Sequence, residues 1–131
     1  MDLNTVKSII SVRSRSDLHQ LSASVRPLAG GSVLFAEPNT ALSGLLDLRG
    51  FRWAPIKRSQ DGLEISATCT LSELSRIPST ENFEAHPLFF QACTALFGSF
   101  KIWNVATVGG NLCASLPAGP MTSLMLSLIH I

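Results

Sequence analysis

The stretch VATVGGNLCASLPAGPM, residues 105–121, is the most distinctive part of this 131-residue chain. It has adjacent glycines at 109 and 110, a third glycine between two prolines, and no charged side chain. A second glycine pair lies far upstream, in RPLAGGSVLF at residues 26–35. Neither pair fits the G-x-G-x-x-G dinucleotide pattern or the G-K-[ST] ending of a P-loop. Two ordinary turns and two halves of one site therefore both stay open.

Both glycine pairs offer backbone donors beside a hydroxyl group. Without a Cβ atom, successive glycine N–H groups can turn toward one anion and approach it closely. Ser32 follows the first pair, and Thr107 precedes the second. Neither loop contains Lys or Arg, so a diphosphate bound there would have to be held by amide dipoles and helix N-termini. One such helix is expected to begin near Pro120. This combination favours a nucleotide coenzyme with a diphosphate bridge.

Composition narrows the class of protein. The formal net charge is +1 without a basic run, which argues against nucleic acid or an anionic membrane as the main partner. The hydrophobic fraction is 46% and the mean hydropathy +0.30, but no apolar run reaches the roughly 18 residues that a membrane span needs. The N-terminal 16 residues lack the apolar region of a secretion signal. A cytoplasmic protein is expected.

Cysteine and histidine spacing gives no metal site. The three cysteines, at 69, 93 and 113, form no C-x-x-C pair, so they predict buried reduced thiols rather than zinc or iron–sulfur ligands. The three histidines, at 19, 86 and 130, have no ligand-like spacing and are expected at the surface or as capping residues.

The part of the chain before residue 52 predicts a small unit with short strands. A short helix is expected first, with Ser16 as its N-cap and Asp17 at its positive start. The strand before the first glycine pair contains Pro27, which restricts it to a sheet edge or a strand start. A compact apolar run predicts a further strand at 45–48.

The pattern changes after residue 52. The Asp61-Gly62 step predicts a hairpin with a type I′ turn. Thr70 and Glu73 form a T-x-x-E capping box, which predicts that a helix begins directly after Thr70.

The strongest helical periodicity begins at Pro87, which suits a first helical turn. Its apolar side chains recur at three- and four-residue steps, as expected for a core helix. They are Phe89, Ala92, Cys93, Leu96, Phe97 and Phe100.

Four segments resemble, in order and spacing, the FAD-binding domain of molybdopterin dehydrogenases, the flavin subunit of the xanthine dehydrogenase and carbon monoxide dehydrogenase type. They are LAGGSVLF (28–35), LLDLRG (45–50), GLEISATCTLSEL (62–74) and FKIWNVATVGGNLCASLPAGP (100–120). The last contains I-x-N-x-A-T-x-G-G-N-L, which is long and specific. The resemblance covers nearly the whole chain to about residue 125.

The resemblance implies an α+β fold of the PCMH type, with FAD between two subdomains. Residues 1–52 would form a small α/β subdomain that carries the first loop. Residues 53–131 would form an incomplete second subdomain, the start of a larger unit with an antiparallel sheet. Because such domains run further, a fragment is expected, and LSLIHI at 126–131 resembles one reading frame of a sequencing adaptor.

The resemblance also assigns the cofactor contacts. Both glycine loops would hold the FAD diphosphate, mostly through backbone N–H groups of residues 29–32 and 107–111. Asn104 would fix the start of the second loop, and Ser115 and Pro117 would line the adenosine side. The full expected set is Leu28, Ala29, Gly30, Gly31, Ser32, Val33, Asn104, Thr107, Gly109, Gly110, Asn111, Ser115 and Pro117. No catalytic residue and no metal ligand is expected.

Two positions depart from the family pattern. The first loop commonly continues with Thr-Asp, and this chain has Ser32-Val33, which keeps the hydroxyl group. The second loop often places an acid on a ribose hydroxyl where this chain has Pro120. Since proline has no side-chain acceptor and no N–H, that ribose contact is not carried over.

The function implied by the resemblance is electron transfer in a molybdenum hydroxylase. FAD would receive electrons from iron–sulfur and molybdopterin subunits and pass them to NAD⁺, a quinone or O₂. A self-contained flavin oxidoreductase of related fold is one alternative. It would be expected to link its flavin covalently, and neither glycine loop contains a His or Cys for such a link. A non-catalytic fragment or assembly module is the other.

Overall fold

The computed structural model describes residues 3–37, 39–79, 83–96 and 98–129. Short strands dominate the first half and α-helices the second. In chain order the elements are β1 (Ser8–Ser11), a 3₁₀ helix (Arg15–Gln20), β2 (Val25–Leu28), β3 (Gly44–Asp47), a second 3₁₀ helix (Leu48–Phe51), β4 (Ile56–Ser59), β5 (Gly62–Ile65), α1 (Leu71–Ser75), α2 (His86–Ala95), α3 (Phe100–Val105), α4 (Val108–Ala114) and α5 (Pro120–Ile129).

The first three strands form a parallel sheet in the order β1-β3-β2. The central strand β3 buries Leu45 and Leu46 almost completely, as expected for a strand with neighbours on both sides. Pro27 lies in β2, an edge strand, which confirms the expectation for that proline. The strand expected at 45–48 begins and ends one residue earlier, because Asp47 caps the following 3₁₀ helix by accepting the N–H of Arg49 at 3.0 Å.

The N-cap expected at Ser16 is wrong. The first helix is a 3₁₀ helix that begins at Arg15, and Ser14 is its N-cap. The carboxylate of Asp17 reaches back and accepts the N–H groups of Arg13 and Ser14, both at 2.9 Å. These backbone donors lower the pKa of Asp17 below its usual value. Asp17 is therefore the third residue of the helix, from which its carboxylate accepts hydrogen bonds at the N-cap. The N-cap is Ser14, three residues before Asp17.

The hairpin is confirmed but its turn is not the one expected. In the antiparallel pair β4–β5, Ser59 lies opposite Gly62, so Gln60 and Asp61 form the loop. A type I′ turn needs a positive φ at both loop residues, and neither has one. The positive φ, 147°, is at Gly62, the first residue of β5.

The capping box at Thr70 and Glu73 is confirmed, and α1 begins at Leu71. Glu73 donates its N–H to Thr70 Oγ1 at 3.1 Å, and Thr70 donates its N–H to Glu73 Oε2 at 2.8 Å. The segment before α1 also pairs with the second glycine motif through a bridge between Thr70 and Thr107. Thr70 thus takes part both in the capping box of α1 and in the contact with the second glycine motif.

The core helix expected after Pro87 is shorter than its periodicity suggested. Phe89 and Cys93 are buried in α2, as expected. The helix ends at Ala95 because Leu96 adopts an extended conformation, with ψ 102°. Phe100 therefore begins a separate helix, where it is 79% exposed, so its assignment to the core face is wrong. Phe97 lies outside the described residues.

Two clusters of buried side chains form the core. The smaller one lies under the parallel sheet and is built on Leu28, Leu42 and Leu45. The larger one joins α1, α2, the start of α4 and α5. The two clusters and the two sheets fall on either side of residue 52, which confirms the α+β class, while the division into subdomains stays a prediction. Within the part of the chain that is described, no helix is long and apolar enough to span a bilayer.

The cysteines only partly follow the expectation of buried thiols. Cys69 and Cys93 are buried, and desolvation raises the pKa of the two thiols to about 12 and about 11. Cys113 is exposed, which corrects the prediction for that residue. It lies in the last turn of α4, away from the α1–α2 contact.

Candidate functional site

The two glycine pairs line the same cleft, which has a volume of about 410 Å³. One wall is the segment from the end of β2 to residue 34, and the other wall runs from residue 106 through α4. The carboxyl ends of β2 and β3 meet at this edge of the parallel sheet, where open α/β sheets commonly bind ligands. The predicted site residues that line the cleft are Leu28, Ala29, Gly30, Gly31, Ser32, Val33, Thr107, Gly109, Gly110 and Asn111.

The first loop presents unpaired backbone donors. No N–H group from residue 29 to residue 34 donates a hydrogen bond to any of the described residues. The loop is closed by the N–H of Phe35, which donates to the carbonyl of Gly31 at 2.9 Å, and Gly31 has a φ of 78°. These residues are half-buried or exposed and line the cleft, so their N–H groups are available to an anion bound there.

The second glycine pair is not a loop. Gly109 and Gly110 lie in the first turn of α4, and Thr107 is its N-cap. The N–H groups of this turn have acceptors inside the protein, which corrects the expectation of free amides here. Val108 donates to the carbonyl of Cys69 at 2.9 Å, Gly109 to that of Ala67 at 3.0 Å, Gly110 to Thr107 Oγ1 at 3.1 Å and Asn111 to the carbonyl of Thr107 at 2.9 Å.

Two residues of the second motif that line the cleft keep side-chain donors without a partner among the described residues. The Thr107 hydroxyl accepts the N–H of Gly110, which leaves its own hydrogen to donate. Asn111 Oδ1 accepts the N–H of Met121 at 3.1 Å, which ties the start of α5 to α4. The Asn111 Nδ2 group has no hydrogen-bond partner among the described residues.

Glycine is required at position 109 for packing. A Cβ atom on Gly109 would lie 2.7 Å from both Cβ and the carbonyl oxygen of Ala67. A Cβ atom on Gly110 would meet only Thr107 Oγ1, at 2.9 Å. The first glycine of the pair therefore brings α4 onto the segment before α1, and the second borders the cleft.

The sequence profile of the FAD-binding domain in molybdopterin dehydrogenase matches residues 4–128. The chain belongs to this family. FAD is the cofactor of the family and therefore the cofactor of this chain. A search of the curated proteins gave no match.

The residues of the cleft fit FAD. The unpaired amides of residues 29–34 suit the diphosphate, the one strongly anionic part of the molecule. The remaining lining is mostly apolar and suits the uncharged rings. It includes Leu48, Leu96, Ile102, Ala106 and Leu116.

Three residues assigned to FAD by the resemblance do not line the cleft. Asn104 is exposed and donates its side-chain amide to the carbonyl of Phe100 at 3.0 Å. Ser115 is the C-cap of α4, with a φ of 49°, and donates its hydroxyl to the carbonyl of Leu112 at 3.2 Å. Pro117 is exposed. Their roles in FAD binding stay predictions.

Sequence reasoning missed Arg26, which lines the cleft from the edge strand β2. It is the single charged residue among those described that line the cleft. The available signal was its place in the short strand that leads into the first loop, three positions before Ala29.

Lys101, the cation nearest to the second motif in sequence, is exposed and does not line the cleft. It is the second residue of α3, so it cannot complement the negative end of that helix.

A second cavity of about 920 Å³ lies on the other side of Ala67 and Gly109. Most of its lining comes from side chains that belong to the larger core cluster or pack against it. These include Leu63, Ile65, Phe89, Leu112, Met125 and Leu128. It is larger than the cleft, but among the described residues the unpaired amides of the first loop and Arg26 lie in the cleft and not in this cavity.

Proposed function

We propose that this chain holds the diphosphate of FAD at residues 29–34 and serves as the electron-transfer flavin unit of a molybdenum hydroxylase. The observation that carries the proposal is the run of unpaired amides in a cleft that also contains the second glycine motif. Family membership supports FAD as the ligand.

The two walls have different tasks in this proposal. The first loop binds the diphosphate through backbone N–H groups, with Ser32 adding a hydroxyl donor. The second motif closes the other side, where Thr107 and Asn111 offer side-chain donors. Its backbone amides instead hold α4 against the segment before α1. A rigid α4 keeps the second wall in place before FAD arrives, which lowers the cost of ordering the site.

FAD, when bound, supplies an isoalloxazine ring that takes up electrons and passes them on to an acceptor such as NAD⁺, a quinone or O₂. The described lining of the cleft contains Cys113 but no His, Asp or Glu, and no catalytic role for a side chain is part of the proposal. The chain's own contribution is therefore to bind and orient the cofactor and to exclude water with its apolar wall.

The partners in this proposal are an iron–sulfur subunit and a molybdopterin subunit in a cytoplasmic hetero-oligomer. The family supports this assignment, since its members are domains of molybdopterin dehydrogenases. Co-expression with candidate partner subunits, followed by affinity purification of this chain, tests it. Recovery of a stoichiometric complex with iron–sulfur absorbance supports the proposal, and recovery of the chain alone contradicts it.

The flavin site is tested by titrating the purified chain with FAD and with riboflavin and following flavin fluorescence. Because the diphosphate is the expected anchor, FAD should bind more tightly than riboflavin by at least about 100-fold, a difference of about 2.7 kcal/mol. Equal affinities, or no FAD binding, would overturn the assignment of residues 29–34 to the diphosphate.

A further inference from the structure

Arg26 lies in the edge strand β2, opposite Leu45 of β3. In a strand, side chains two residues apart point to the same side, so Arg26 shares a side with Leu28, which leads into the first loop. The cleft has no acidic residue among its described lining to compete for the guanidinium.

The guanidinium of Arg26 has no structural partner among the described residues, neither a hydrogen bond nor an ion pair. Two of the other described arginines do have such a partner. Arg49 pairs with Asp47 at 2.7 Å, and Arg58 donates to the carbonyl of Pro78 at 2.5 Å. The one cation of the cleft is thus free to bind a ligand.

The second wall cannot replace this cation. Its backbone amides from residue 108 to residue 111 are engaged within the protein, and its described lining carries no positive charge. The negative charges of a diphosphate must therefore be compensated on the first wall, by neutral amide dipoles and by Arg26. A guanidinium is well suited to this, because its planar donors bind two phosphate oxygens at once.

We propose that Arg26 is the cationic part of the diphosphate subsite, and that its guanidinium binds phosphate oxygens whose neighbours accept the N–H groups of residues 29–34. This inference rests on the proposed flavin-binding function. The competing role for Arg26 is that of a solvated charge which keeps the edge strand β2 from pairing with another chain.

The experiment measures the affinities of FAD, ADP and riboflavin for the unmodified chain, Arg26→Gln, Arg26→Lys and the control Arg15→Gln. Arg15 is an exposed arginine that does not line the cleft. If Arg26 binds the diphosphate, Arg26→Gln weakens FAD and ADP about 10- to 100-fold, the range for a hydrogen bond to a charged group. Riboflavin, which has no phosphate, should bind Arg26→Gln as it binds the unmodified chain. Arg26→Lys should bind FAD with intermediate affinity, and the control with unchanged affinity.

The possible results distinguish the role of Arg26 from the flavin-binding function on which it rests. If the unmodified chain binds FAD and Arg26→Gln binds it within about 2-fold, the role of Arg26 is overturned while the flavin site stands. Absence of FAD binding to the unmodified chain overturns both. Circular dichroism of each variant establishes that it is folded. If Arg26→Gln does not fold, Arg26→Lys decides, since unchanged FAD affinity and salt dependence in that variant contradict a bidentate guanidinium contact.

Discussion

Gly30 lies directly against the backbone carbonyl of Val105, so that a Cβ atom on residue 30 would overlap with the carbonyl oxygen. The same Cβ atom would lie 2.7 Å from the carbonyl carbon of Val105 and 3.4 Å from Cα of Ala106. The first glycine motif therefore touches the backbone that leads into the second. This contact sets the width of the cleft at its base, which makes Gly30 a packing residue as well as a part of the anion loop.

Gly30→Ala should destabilise the protein and weaken FAD binding together. The added methyl group must push the two walls apart, and overpacking of this kind costs about 1–3 kcal/mol of unfolding free energy. Chemical denaturation and FAD titration measure the two effects. Ala118→Gly, a change of the same size at an exposed position, is the control. Unchanged stability in Gly30→Ala would show that the two walls are not in contact.

The two glycines of α4 should differ when each is replaced by alanine. Gly109→Ala forces its new Cβ into the backbone of Ala67, whereas Gly110→Ala meets a single hydroxyl oxygen and gains helix propensity. We expect Gly109→Ala to lower the unfolding free energy by at least about 1 kcal/mol more than Gly110→Ala does. The two variants serve as each other's control in thermal and chemical denaturation. Equal losses would contradict the packing role of Gly109.

Thr107 should stabilise α4 through its hydroxyl group. Its Oγ1 accepts the N–H of Gly110 at 3.1 Å, and the residue is buried. Thr107→Ala removes this N-cap and should cost about 0.5–2 kcal/mol of unfolding free energy. Thr107→Ser keeps the hydroxyl and should recover most of the loss. If serine is no better than alanine, the cap contributes nothing and the β-branched packing of Thr107 explains its burial.

The stability that the Asp47 carboxylate contributes should be lost at acidic pH. The Arg49 side chain holds the pKa of this carboxyl below its usual value of 3.8 in the folded state. A depressed pKa contributes stability above the unfolded value, and this contribution is lost as the pH falls through the folded pKa. The unfolding free energy of Asp47→Asn should therefore fall less between pH 5 and pH 2 than that of the unmodified chain. Parallel pH profiles for the two proteins would disprove the linkage.

Cys113 should react with thiol reagents before the other two cysteines. It is exposed and lines the cleft, whereas desolvation raises the pKa of Cys69 to about 12 and that of Cys93 to about 11. Since the thiolate is the reactive form, a maleimide should modify one thiol quickly in the folded chain and all three after denaturation. Mass spectrometry identifies the site, and Cys113→Ser is the control. FAD should slow the reaction if it occupies the cleft.

Local rules predicted the elements that depend on neighbours in sequence. The capping box at Thr70 and Glu73, the edge position of Pro27 and the start of α5 near Pro120 follow from a few adjacent residues, and all are found in the structure. The order and spacing of the glycine motifs indicated the family, which the sequence profile confirms. Errors arose where two local signals compete, as at Phe100, where the helical periodicity continues although the backbone turns at Leu96.

The sequence by itself determined the α+β class and, through the order and spacing of its motifs, the FAD family; the tertiary structure placed the two glycine motifs in one cleft. Only the tertiary structure decided which amides of those motifs are free. Whether a backbone N–H is available to a cofactor depends on the acceptors that other parts of the chain bring to it. The carbonyls of Ala67 and Cys69 engage the second motif, while no described residue brings an acceptor to residues 29–34. The same long-range packing places Arg26 in the cleft and Asn104 outside it, because side chains meet a ligand through the fold and not through proximity in sequence.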